Sequence, residues 1–260
     1  MNHISVIQWI CGALAVIATL VGLGFFTRAC LTIANRFRLG APVDPQRLRP
    51  VGKRLKTLLV KVLCHQDFKG RPWIRLAHWL VMVSFPILFF TLVTGYAQIF
   101  SPDWALPLIG HFPPWEWLVE FIALASTIAI IGLIVVRSVN TAHGRKSRFT
   151  GSTRWQARFV EATIVAVVGC VDLLRVAESA WLSAAQYEQS ASWVHFPIFG
   201  WLGRPLGQGA NPDTLANVIA VLALVKILCS MTWFVIVGLQ PSMGVAWHRS
   251  LAFVNLYARR

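Results

Sequence analysis

Five stretches of this sequence, residues 4–26, 77–100, 115–136, 159–181 and 214–238, are each apolar for long enough to cross a bilayer. A helix needs about 20 such residues to span a hydrocarbon core of ~30 Å. Charge, proline or glycine closes each stretch, as helix ends require, and none alternates with the period of two of a barrel strand. Spanning segments of this kind fold as helices, which satisfy their own backbone groups where water cannot. Composition agrees: mean hydropathy is +0.61 and 13% of residues are charged, against about 25% in a soluble domain. The sequence predicts an all-α, polytopic bundle of five transmembrane helices, one membrane domain over residues 1–260.

A net charge of +14 could suggest nucleic acid, but its distribution argues otherwise. Residues 27–76 carry twelve Lys/Arg, residues 137–158 six and residues 239–260 three, whereas loops 101–114 and 182–213 carry only Arg204. Cations gathered on one side of a bundle mark the cytoplasmic face. The expected topology has the N-terminus outside and the C-terminus in the cytoplasm, in a multi-pass protein of the cytoplasmic (inner) membrane. Trp73, Trp79, Trp155 and Trp247 fall at the inner edge, and Trp104, Trp115, Trp117, Trp181 and Trp201 at the outer edge. Indole rings favour the headgroup level. The first apolar run lacks a positive n-region and a cleavage site, so it reads as a retained helix and not a signal peptide.

Residues 27–76 read as one basic cytoplasmic loop, broken at "APVDPQRLRP" and containing an amphipathic helical stretch, "GKRLKTLLVKVLCH". Its place is the membrane surface, with Lys/Arg toward anionic lipid headgroups, or against a soluble partner. The five cysteines show no CxxC spacing, so no Fe–S cluster is expected within this chain.

Seven histidines divide by depth. His3, His111 and His195 fall on the outer side and His65 and His143 in inner loops, where a histidine is usually solvated and inert. His78, in "RPWIRLAHWL", and His248, in "PSMGVAWHRSLAF", share a depth at the cytoplasmic edge, each beside Trp and Arg. Interfacial polar residues are common there. Two neutral imidazoles at one depth are also a standard axial pair for a low-spin electron-transfer haem. Arg71, Arg75 and Arg249 would then suit the propionates.

The stretches "RLAHWLVMVSFPILFFTLVTGY", "LPLIGHFPPWEWLVEFIALASTIAIIGLIVVR" and "PSMGVAWHRSLAFVNLYARR" resemble the membrane domain of (Fe–S)-binding reductases related to heterodisulfide reductase. That family includes membrane-bound electron-transfer-flavoprotein:quinone oxidoreductases, and it is distantly similar to the gamma subunit of respiratory nitrate reductase. In the gamma pattern two b haems use two histidines ten residues apart on one helix and two more near the end of the last. Here His78 matches the first position, Leu88 stands ten residues on, His248 matches the final position and the remaining one falls near Cys229. The resemblance thus implies one haem b on the inner side, held by His78 and His248. The proline-to-histidine spacing from Pro241 differs by one residue, which makes Met243 a competing ligand. The resemblance further implies a cytoplasmic Fe–S protein or domain, fused after residue 260 or separate, electron-transfer flavoprotein as a donor, and a quinone substrate, with menaquinone favoured.

Asp172, Arg175 and Glu178 lie three residues apart on one face of the fourth span, and Lys226 lies in the fifth at Asp172's depth. Buried charges pair or face a cavity. A Lys226–Asp172 pair beside Arg175–Glu178 is expected, as a lock between spans, a proton path or a polar wall of a quinone pocket. Glu120 and Glu161 are nearer the ends of their spans and are more easily solvated. The function these readings converge on is a haem b-containing electron-transfer module between a cytoplasmic Fe–S/flavin partner and the quinone pool. The alternatives are a haem-free anchor for a soluble redox domain and, further off, a small-solute transporter.

Overall fold

The computed structural model describes residues 4–40, 45–64, 70–144 and 152–258, which form eight α-helices and a short 3-10 turn at Pro45–Leu48. The helices are α1 Val6–Arg38, α2 Val51–Cys64, α3 Pro72–Gln98, α4 Pro113–Ala142, α5 Arg154–Ala184, α6 Gly200–Gly207, α7 Pro212–Leu239 and α8 Gly244–Ala258. Of these, α1, α3, α4 and α7 are long and apolar enough to cross a membrane. Helix α5 is as long, at 31 residues, but its run is interrupted by Asp172, Arg175 and Glu178.

Local signals set the boundaries. Ser5 Oγ accepts from Gln8 N–H, and the Gln8 side-chain carbonyl accepts from Ser5 N–H, a reciprocal cap for α1. Prolines occupy the first turn of α3, α4 and α7, where no intrahelical N–H is needed. Asn211 caps α7 by accepting from Asp213 and Thr214 N–H. Helix α1 runs twelve residues beyond the expected end at residue 26, because nothing between Thr27 and Arg38 breaks it before Gly40. Residues 27–38 thus continue α1, and the expected amphipathic stretch forms α2.

Helix α7 is the hub, packing on α1, α5 and α3, while α4 bridges α3 and α5. The approach to α1 is close: a Cβ on Gly238 would fall 2.6 Å from the Phe25 carbonyl. Helix α6, unmarked by any apolar run, lies along α5, where a Cβ on Gly207 would sit 2.2 Å from Ala180 O. Helix α8 is fixed at both ends. Ser152 Oγ accepts from Val245 N–H at 3.0 Å, and Arg54 donates to Tyr257 O at 3.0 Å. Its first turn buries Val245, Ala246 and Trp247 against Ala29 of α1 and Val160 of α5.

Candidate functional site

Docking α8 against the bundle brings its histidine to that of α3. The ring centres of His78 and His248 lie 6.4 Å apart, with planes inclined at 47°. His78 and Phe85 are seven residues apart and so share a face of α3. His248 and Arg249 meet that face: the Arg249 guanidinium lies 3.8 Å from the Phe85 ring centre and 5.4 Å from that of Trp233 on α7.

His248 is held in one tautomer. Its Nδ1–H donates to Val245 O at 2.7 Å, which puts the ring's lone pair on Nε2, the usual arrangement of a metal-ligating histidine. Burial pushes its pKa below the ordinary histidine value, and the neighbouring Arg249 charge adds to this, so the imidazole is neutral. Burial likewise lowers Arg249 to about 10.

Two indole N–H groups in the cluster where α1, α7 and α8 meet, Trp233 Nε1 and Trp247 Nε1, are buried with no hydrogen-bond partner. Both rings adjoin Phe26 of α1, with centroids 6.3 and 5.6 Å away. A buried orphan donor costs about 1–3 kcal/mol, so two in one cluster are a deficit that acceptor atoms would relieve.

The other expected site residues distribute as follows. Arg71 begins α3 and is exposed. Arg75 is exposed and lines an open groove with Leu63, Cys64, Leu76 and Trp79. Arg249, expected at a propionate, lies over the Phe85 ring, because its long stem carries the guanidinium inward to the α3 face. Met243, the competing ligand, is fully buried in the apolar cluster with Val237 and Val160. Leu88 packs in the α3–α4–α5 core. His3 and His65 lie outside the described residues.

At the other end of the bundle the charges pair differently from expectation. Lys226 does not meet Asp172. Its Nζ donates to Thr91 O of α3 at 2.7 Å, while Asp172 accepts from Thr127 of α4 at 2.7 Å. Equal depth did not bring them together, because the two side chains point to different neighbours around the bundle. Arg175 donates to Glu178 at 2.9 Å, to Glu120 at 3.1 Å and to His195 O at 2.6 Å, and lies 4.0 Å from the Phe196 ring centre. Glu120, more easily solvated by its place near a span end, is nevertheless fully buried and also accepts from Ile198 and Phe199 N–H. Glu161, at the histidine end, is likewise buried, paired with Arg137 at 2.6 Å. His195, expected to be inert, bonds Glu116 at 2.6 Å. The sequence signal for this clamp was the Glu116/Glu120 spacing, one turn apart on the face of α4 toward α5.

Compared with family models, curated proteins and solved structures, the chain finds no match.

Proposed function

We propose that the chain is a haem b-containing membrane module that carries electrons between a cytoplasmic Fe–S/flavin partner and the quinone pool. The observation that carries this reading is the His78–His248 separation of 6.4 Å. Two imidazole nitrogens each about 2.0–2.1 Å from one metal would have ring centres at roughly this separation, so His78 and His248 would be able to hold an iron between them. Among the described residues no three His, Cys, Asp or Glu side chains gather as a metal-binding group. An iron held by two histidines must therefore bring its remaining ligands with it, as a porphyrin does. The orphaned indole donors of Trp233 and Trp247 suit acceptors such as propionates.

When bound, haem would supply a one-electron redox centre. The chain's own residues orient and protect it. Val245 O fixes the His248 tautomer. Arg249, between Phe85 and Trp233, ties α8 to α3 and α7 and places a positive charge beside the ligand. Arg71 and Arg75 keep the α3 end at the basic surface, where an acidic soluble partner or anionic headgroups would dock.

In this reading α5 is the fifth spanning helix, its charges turned inward on Glu120 and His195. The cation bias puts the N-terminus outside and the histidine pair at the cytoplasmic side of the inner membrane. The family resemblance favours menaquinone reduction and a fused or separate Fe–S domain with electron-transfer flavoprotein as donor. A pyridine haemochrome assay on purified protein tests it: one haem b per chain, and none in His78→Ala or His248→Ala, is expected. Haem-free wild-type protein would leave the anchor reading in its place.

A further inference from the structure

A cavity of about 60 Å³ lies at the end of the bundle opposite the histidine pair. It sits between the last two turns of α3 and helices α4, α5 and α7, under the 104–110 loop, and is lined by Thr91, Thr94, Glu116, Arg175, Glu178 and Lys226 among others. At ~1.5 Å per residue, Thr91 to Gln98 makes the cavity about 10 Å deep, and Lys226 lies about 21 Å along α7 from Pro212. Lys226 is 2% exposed. Glycine at position 95 makes room for it, since a Cβ there would come within 3.1 Å of Lys226 Cε and 3.2 Å of Nζ.

Volume and charge decide what fills this space. A cavity needs about 10–15 Å³ per water and about 150 Å³ to take a benzene, so this one holds roughly four to six waters and no quinone ring. The lining balances Lys226 and Arg175 against Glu116 and Glu178, so it selects neither anion nor cation. Arg175 has its guanidinium committed to Glu120, Glu178 and His195 O. An ammonium has three donors, and among the described residues Lys226 gives one to Thr91 O and finds no carboxylate within salt-bridge distance. Its two other donors need water. Glu178 shares one oxygen with Arg175 and Glu116 one with His195, so each keeps an oxygen for the same waters.

We propose that this cavity is a hydrated proton-exchange vestibule ending at Lys226, whose ammonium gives its proton to a cavity water and recovers it from there as a neutral amine. The groups facing Lys226 from the packed helices are Thr91 of α3, Glu116 of α4 and Cys170, Arg175 and Glu178 of α5. The inference is independent of the haem reading. It favours the proton path over both the quinone wall and the interhelix lock as the role of the buried lysine.

Reductive methylation with formaldehyde and a borane, read by peptide mass spectrometry on the folded protein in nanodiscs, tests it. Lys226 is expected to be methylated, more slowly than exposed Lys53 and faster as pH rises and the amine is freed. Thr94→Phe, which fills the cavity, is expected to slow Lys226 at least tenfold and leave Lys53 unchanged. Lys226 that reacts only after unfolding, or that reacts equally in wild type and T94F, would overturn the proposal. The wild-type result decides even if T94F fails to fold.

Discussion

Arg175 of α5 and Glu120 of α4 form a buried ion pair at 3.1 Å, roofed by the chain between residues 195 and 199. The guanidinium is the hub of this end of the bundle, because its three arms join Glu120 of α4, Glu178 of α5 and His195 O in the 185–199 loop. Removing one partner of a buried pair typically costs about 3–5 kcal/mol, since the other charge is left uncompensated. Arg175→Met is therefore expected to lower thermal stability in detergent by that amount and to open the 185–199 loop to protease. Glu120→Gln should follow it in direction, with a smaller loss because the amide still accepts from the loop.

Arg249 and Phe85 couple α8 to α3. A desolvated cation over an aromatic face contributes about 2 kcal/mol, and an exposed one about 0.5–1. A double-mutant cycle of Arg249→Met and Phe85→Leu should give a coupling of about 1 kcal/mol in thermal unfolding. Additive losses would show that the stacking does not hold α8 in place.

Lys226 and Asp172 should behave as strangers. Each bonds a different threonine, on α3 and α4, and residues without shared partners add within about 0.3–0.5 kcal/mol. Lys226→Met and Asp172→Asn are expected to be additive, whereas an interhelix ion pair would make the double variant more stable than the sum.

Helix α6 is held by what its glycines lack. Gly203 and Gly207 bring it against Val176 O and Ala180 O of α5, where a Cβ would fall at 2.5 and 2.2 Å. The contact is with backbone, which cannot rotate away. Gly207→Ala is expected to cost about 1–3 kcal/mol, read as a lower unfolding temperature, with Gly209→Ala differing in cause through its positive φ of 74°.

The sequence and the fold agree where one residue's own environment decides. Apolar runs mark α1, α3, α4 and α7, and the amphipathic pattern marks α2 at Val51–Cys64. The two histidines at one depth, His78 and His248, have their ring centres 6.4 Å apart. The sequence misled where position depends on rotation about a helix axis or on a covering loop. Depth counting put Lys226 level with Asp172, but could not say which neighbour each faced. Glu120 looked solvated when counted from the end of its helix, because the loop that buries it folds back from nearly eighty residues away. Helix α6 lacks an apolar run and contains Pro205, and its glycines fit it against α5. Arg249 was legible as a charge beside His248 but not as a stacking partner of Phe85, a contact between helices distant in sequence.

The most direct test of the central claim is a reduced-minus-oxidised optical difference spectrum of the purified full chain and of its His78→Ala/His248→Ala double variant. A b-type α band of a single low-spin haem is expected in the wild type, and its loss in the variant. A wild-type spectrum without that band, or a band that survives replacement of both histidines, would contradict that claim.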